Sequence, residues 1–535
     1  MTDISTNNWD VVSIADLDTL NKMMATGGLT PTDFSLDDSE DELSVTGTWG
    51  AWTVTSDASG AKVNIRCDIT GGTVEYEGKS YPLCAADDSA WVEIELSLKA
   101  VSADPAVWAG SEGVVVGGTR CVKLMADPES YVSVVGSAFP GVTRHVVTRI
   151  LPELMSEWFS DHIADFKQVF SVLLTGLKAK NSDFQWLMPS AYSYAASSSL
   201  DKTVAGFGAL TLTDGRTGTG SLSQDIDIQA LSVVKPFGAN LALVISKAMF
   251  VKHVLMNAAV SIVKGATEAD FTLSDTGLSL SNNREMVWQD FDDGKGGSIS
   301  PVLPKNSFIL DLQADYIHLS ITGAHYRPNF MCTVAMGVEQ NFRFKVEKNA
   351  RGEPVFVPDE TGLGDAKVSC VVTPDAWVGT MDIVLGVISG VAAVATLGLG
   401  GAAWLAGRAA ATVALDAAEE VGSFVMQDFS RIAEGGGVAV ADIAAEAAAI
   451  ATGRASSPIL MNSVKVFGAV AAITGAVASV TAVMKGVYEG EYADMPSFHD
   501  FARHITSATV WPGMENAELK SASLADSFVI GLEMK

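Results

Sequence analysis

The feature that most constrains this chain is a change of hydrophobic period near residue 140. Upstream, segments 48–55 (TWGAWTVT), 61–69 (AKVNIRCDI) and 91–101 (WVEIELSLKAV) are rich in aromatic and β-branched residues, and much of this alternates apolar with polar. Turn clusters such as Ser59-Gly60 and Gly71-Gly72 separate them, so residues 45–135 read as antiparallel sheet with one buried and one wet face. Between Thr143 and Leu177 the apolar positions become Val146, Val147, Ile150, Leu151, Leu154, Met155, Trp158, Phe159, Ile163, Phe166, Val169, Phe170, Leu173 and Leu174. That is the three-four spacing of an amphipathic helix. Unbroken, it would run about 50 Å at 1.5 Å per residue, with Pro152 at a kink or in the first turn of its main part. So long and aromatic a stripe requires a large curved surface to bury it.

The same reading continues downstream. Strands are expected at 203–213 and 222–234, and a second helix at 241–263 (LALVISKAMFVKHVLMNAAVSIV), apolar on several faces. Further strands are expected at 269–281, 307–322, 329–347 and 367–373, and 510–532 alternates like a returning strand. From Met381 the composition shifts to Ala, Gly and Val: 383–407 and 466–484 carry no charge. Between these tracts lies an Ala-rich helical region with Asp416, Glu419, Glu420, Glu434, Asp442 and Glu446.

A chain of 535 residues with 48% apolar and 18% charged residues has material for two or three buried cores and is not disordered. Its net charge of −28 repels phosphates and excludes nucleic acid as the expected partner. Contact with lipid must then be apolar or locally basic. The acidic run Asp33, Asp37, Asp38, Glu40, Asp41, Glu42 reads as a solvated loop. Five dispersed cysteines without a CxxC pair read as buried thiols of a reducing compartment. The first ten residues are polar, with no basic start and no apolar run. The expectation is therefore cytoplasmic synthesis without a signal peptide, with any release by lysis or a non-Sec route.

No reaction centre stands out, and the expected role is non-enzymatic. Gly398-Leu399-Gly400-Gly401-Ala402-Ala403 fits GxGxxA, with Asp416 and Glu419 downstream. A dinucleotide site needs a strand before that turn, and this string sits in a helix-like Gly/Ala tract where such matches arise by chance. The seven histidines are scattered, and His499 and His504 miss the i, i+4 spacing of a helical metal pair. Neither a metal nor a cofactor is expected. The uncharged tracts reach bilayer length. They read as helices buried against the body, and an inserting hairpin is the alternative, although their small residues allow close packing in either setting.

Several stretches resemble a known family. They are Asn8-Trp9-Asp10-Val11-Val12, the run Gly47-Thr48-Trp49-Gly50-Ala51-Trp52-Thr53-Val54-Thr55 continued to Asp68-Ile69-Thr70-Gly71-Gly72, and the strand at 91–98. Together they resemble the N-terminal pattern of the OrfX and forty-seven-kilodalton proteins, encoded beside clostridial neurotoxins and in related insecticidal clusters. Ile245-Ser246-Lys247-Ala248-Met249-Phe250-Val251-Lys252 looks like the family's second helix. Trp511-Pro512 and the 518–528 segment look like its closing strand. The resemblance covers residues 8–375 and 505–535.

It implies an α+β fold of the tubular lipid-binding (TULIP) type, with curved antiparallel sheets wrapped around long amphipathic helices and an added Ala/Gly-rich helical region. The implied organisation is 1–200, a first sheet with its long helix; 201–378, a second sheet and helix; 379–495, the Ala/Gly-rich region; and 496–535, a strand returning to the body. In that superfamily the groove between sheet and helix holds acyl chains, so the implied ligand is a bound fatty acid or phospholipid. The implied partners are a lipid or membrane surface and a toxin or other protein of the same cluster. No lipid-binding residue transfers by resemblance. Groove candidates come from the helical stripes: Val147, Leu151, Leu154, Trp158, Phe166, Phe170, Met249 and Met256. Each apolar methylene buried there contributes about 0.8 kcal/mol, and ordinary core packing is the alternative for every one of them. Two further roles compete with lipid holding: membrane insertion through 380–490, and a fully packed scaffold that acts through protein partners.

Overall fold

A computed structural model describes residues 3–376 and 509–534, apart from several short segments of which 104–119 and 176–185 are the longest. They form two compact units. One comprises the chain up to Ser246 together with Trp511, the strand residues up to Ser521, and Val529 onward. The other starts at Lys247 and includes Ala522–Phe528. The GxGxxA string, both uncharged tracts, His499 and His504 lie outside the described residues.

The first unit contains a strongly curved sheet in the order Asp33–Asp38, Leu43–Thr55, Val63–Tyr76, Ala90–Leu96, Ser133–Ala138, all antiparallel, with Lys79–Pro82 appended to Val63–Tyr76. The alternation seen in the sequence sets its inner face: Val63, Ile65, Cys67 and Ile69 are buried from one strand, and Ala90, Val92, Ile94 and Leu96 from the next. Curvature has a local source. The register between Leu43–Thr55 and Val63–Tyr76 shifts at Thr48/Trp49 and again before Trp52, and such bulges bend and twist the strand that carries them. Gly47 faces Gly72 in that register. A Cβ on Gly47 would clash with the Phe34 ring, so only glycine lets that ring lie across the strand.

Both edges of this half-barrel end on one helix, His145–His162. On one edge, Ser156 Oγ accepts a hydrogen bond from the Val134 amide at 3.0 Å, and Ser160 Oγ accepts one from the Val132 amide at 3.1 Å. The two hydroxyls donate in turn to the carbonyls of Pro152 and Ser156, four residues back on the helix. On the other edge, Phe34 packs against Trp158, with ring centroids 6.1 Å apart. The exposed row of amides that an edge strand presents is thus covered by side chains chosen from one helical face.

The expected 143–177 helix is only half present. The helix ends at His162, a single tight turn covers Ile163–Asp165, and Val169–Thr175 is a strand paired antiparallel with Arg120–Ala126. At 18 residues the helix is about 27 Å long, and Pro152 sits well inside it. The backbone turns extended at Phe166. Beyond it, β-branched and apolar residues gain a full ladder of sheet hydrogen bonds that a helix continuing into solvent could not match.

A second sheet has the order Ala191–Ser198, Ala205–Leu212, Val11–Asp16, Leu241–Ile245, Phe528–Met534, Ala517–Leu524. Leu241–Ile245 was expected to be helical; all five residues are buried, and the strand pairs with Val11–Asp16. A short apolar run has no period that separates strand from helix. The reverse error occurs at 222–234, where Gln229–Val234 is a helix that buries Ala230, Leu231 and Val234.

The helical stretch of the second unit begins at Lys247 and runs through Lys247–Phe250, a π-helical turn at Val251–Leu255, and Met256–Ile262. Asn257 Nδ2 donates to the His253 carbonyl at 2.6 Å, which supports that irregular turn. Its sheet joins Phe271–Leu273, Ser279–Asn282, Phe308–Leu312, Ile317–Tyr326, Cys332–Lys348 and Lys367–Pro374.

The edge-capping serines generate a direct expectation. Changing Ser156 or Ser160 to Ala leaves a strand amide without its acceptor and should cost about 1–3 kcal/mol each. Urea denaturation reads the loss. Faster amide exchange confined to Val132 and Val134 locates it at that edge.

Candidate functional site

The interior between the half-barrel and the His145–His162 helix is built from aromatic rings in continuous contact. Trp49 is its hub, with ring centroids 4.4 Å from Phe34, 5.7 Å from Trp52, 5.5 Å from Trp158 and 5.1 Å from Phe159. Trp52 reaches Phe166 at 5.2 Å, Phe166 reaches Phe170 at 6.1 Å, and Phe170 reaches Phe207 at 5.7 Å. Phe207 then meets Trp511 at 6.0 Å. The tilted and edge-on geometries are those that aromatic pairs favour, at about 0.5–1.5 kcal/mol per pair beyond area burial.

Strand, helix, turn and C-terminal segment each contribute to this column. On a regular strand Trp49 and Trp52 would point to opposite faces, being three residues apart; the bulge between them brings both inside. On the helix, Val147, Leu151, Met155, Trp158 and Phe159 are buried, and Leu154 is half-buried. Leu154, Trp158 and His162 follow at four-residue spacing along the face that comes to the surface. His162 is exposed and stacks on Trp158, with centroids 4.5 Å apart.

The candidate residues therefore divide. Trp158, Phe166 and Phe170 join one aromatic column, although the last two lie beyond the helix on which the sequence pattern placed them. Val147 and Leu151 are fully enclosed in the helix core. Leu154 alone of the first-unit candidates borders the surface. Met249 and Met256, 4% and 7% exposed, belong to the core of the second unit. Sequence reasoning missed Phe34, Trp49, Trp52 and Phe207. The usable signal was the WGAW spacing, in which two tryptophans break strand alternation around a glycine.

This chain matches the OrfX-like family model, described as protein OrfX2/OrfX3/P47, over residues 6–434. It belongs to the OrfX-like family. It is 22% identical to OrfX3 of Clostridium botulinum (strain Kyoto / Type A2) over 421 residues, covering 74% of this chain and 82% of that protein. It is also 22% identical to OrfX3 of Paraclostridium bifermentans over 439 residues, covering 75% and 85%. Its fold is similar to P47 from C. botulinum A2, with TM-score 0.60, 13% identity and 99% of this chain covered against 98% of that one. P47 of C. botulinum E1 gives TM-score 0.59 at 13% identity, covering 98% and 99%. The family match thus extends past residue 375, where the motif resemblance paused, and the structural likeness takes in the closing strands.

Buried polar groups of this OrfX-like protein tie the strands of the same unit together. Asp10, 2% exposed, accepts from the Thr213 amide at 2.8 Å and pairs with Arg216, which ties the first strand to the end of Ala205–Leu212. Tyr194 OH donates to the Ala61 carbonyl at 3.0 Å and accepts from the Leu98 amide at 2.5 Å. Burial raises the Tyr194 phenol above its ordinary value. Cys67 is fully buried on the inner sheet face, and desolvation, aided by Asp68 and Glu93, pushes its thiol well above the usual range.

Two outcomes are expected. Trp158→Ala or Phe166→Ala should cost about 3–5 kcal/mol where protein alone fills the site, and less where lipid or water refills it. Asp at Phe170 should abolish folding, whereas Asp at half-buried Leu154 should cost least, since only the latter charge can be solvated. Thermal unfolding of the four variants gives the ranking. For Cys67 the folded state holds the proton more tightly, so its contribution is complete below the unfolded thiol pKa of about 8.5 and is lost as pH rises above it. Urea midpoints should fall more steeply above about pH 8.5 in the wild type than in Cys67→Ala, and a thiol reagent should label Cys67 only on unfolding.

Proposed function

We propose that this OrfX-like protein holds acyl chains of a fatty acid or phospholipid in a TULIP-like interior and acts, without catalysis, as an accessory to a toxin or another protein of its gene cluster. One observation carries this reading: both edges of a curved sheet end on the same helix and enclose a column of aromatic and aliphatic side chains. Such an enclosure can accept a hydrocarbon chain at about 0.8 kcal/mol per methylene transferred from water. The exposed end of the Leu154–Trp158–His162 face gives a chain a place to enter. Family membership supports the toxin-cluster association. Lipid, rather than nucleic acid, is the partner compatible with a net charge of −28.

The scaffold reading has its own support, because Val147, Leu151 and Phe170 are fully buried by protein. Membrane insertion depends on 380–490, outside the described residues. Among the described residues no helix is long and apolar enough to cross a membrane.

Organic extraction of the purified protein, followed by mass spectrometry, should recover acyl lipid at a fixed ratio to protein. Delipidated protein should then take up a fluorescent fatty acid. Recovery of no lipid and no uptake would leave the scaffold reading standing. Release of dye from liposomes would instead favour insertion.

A further inference from the structure

We infer that the indole N–H groups of Trp49 and Trp52 form a polar anchor inside the aromatic interior that binds the ester carbonyl of an acyl lipid. This rests on the lipid-holding reading and adds to it the part of the ligand that the protein recognises.

Trp49 and Trp52 are 5% and 4% exposed, and among the described residues neither Nε1 has a hydrogen-bond acceptor. Two other buried indoles of the same unit are satisfied. Trp9 Nε1 donates to the Ser223 carbonyl at 2.8 Å, and Trp511 Nε1 donates to Ser13 Oγ at 3.0 Å. A buried donor left unpaired costs about 1–3 kcal/mol, and a core tryptophan ordinarily finds a partner for its N–H. Here two adjacent ones do not, with rings 5.7 Å apart and nearly perpendicular. The bulge between them puts both on the inner face. A phenylalanine at either position would keep the aromatic packing and remove the unpaired donor. Two retained donors therefore point to an acceptor supplied from outside the chain.

The surroundings define its chemistry. Phe34, Trp158, Phe159 and Phe166, the rings packed on the pair, are all uncharged. A carboxylate or phosphate buried there would lack a counter-ion, at a cost that neutral donors do not offset. A neutral carbonyl oxygen suits two N–H donors in apolar walls, and its attached chain continues the apolar burial. Half-buried Leu154 and exposed His162 flank Trp158 on the face of the helix nearest solvent.

The test compares two lipids on the full chain: dioleoyl phosphatidylcholine, and its dialkyl ether analogue, which has the same headgroup and matching chains but no carbonyl. Wild-type protein should bind the ester lipid up to about tenfold more tightly, the value of one buried hydrogen bond. Its two indole N–H resonances, assigned through Trp49→Phe and Trp52→Phe, should shift with the ester lipid and not with the ether. Each variant should lose the ester preference while melting at or above the wild-type temperature. Equal binding of ester and ether by the wild type would overturn the anchor and leave chain holding intact. Binding of neither would overturn both. Variants that lose both lipids equally and melt lower would show that the tryptophans serve packing alone.

Discussion

The arrangement of the first unit depends on one constraint: a curved sheet has two edges, and both must be satisfied. Here a single helix serves both. Ser156 and Ser160 accept the amide hydrogens of Val134 and Val132 on one side. Trp158 takes up Phe34 on the other. Because buried backbone donors must be paired, the position of the helix is fixed by hydrogen bonds at one edge and by ring packing at the other. The space between sheet and helix follows from that position. The bulged tryptophans, the Phe34 ring over Gly47 and the aromatic column onward to Trp511 all fill it.

That constraint also links packing to function. An interior closed by edge-to-helix contacts meets solvent along its helix without unpairing its sheet, because the helix presents both buried and surface-reaching positions within consecutive turns. Val147 and Leu151 are sealed, whereas Leu154 and His162 reach solvent on either side of Trp158. The likeness to P47 spans nearly the whole chain at 13% identity. At such low identity, volume and patterning in the core matter more than particular side chains.

Much of the architecture was legible in local pattern. Alternation in 61–69 and 91–98 marked the inner face of the half-barrel, and the strands at 205–212, 332–348 and 367–374 fell close to where alternation placed them. The acidic run read as a solvated loop is in part the edge strand Asp33–Asp38, which buries Phe34; the errors between helix and strand share a cause. The 163–174 segment, the apolar run at 241–245 and the alternating residues of 222–234 satisfy more than one period. Each was settled by its partner: Arg120–Ala126 claimed Val169–Thr175, and Val11–Asp16 claimed Leu241–Ile245. Of the site, helix residues such as Trp158 were readable from spacing, whereas Trp49 and Trp52 were hidden because strand geometry assigns residues three apart to opposite faces.

The sequence by itself determined the class of fold, the family and the stripe on the helix, because hydrophobic period and ordered motifs are local properties of the chain. Only the tertiary structure decided where that helix stops, which strands border it, and that two tryptophans enter the interior with unpaired indoles. Those outcomes depend on hydrogen bonds and ring contacts between residues far apart in the chain, such as Trp49 with Trp158 and Val11 with Thr211. No local pattern encodes such contacts, since the competing conformations of each segment differ by little until a partner strand or helix arrives.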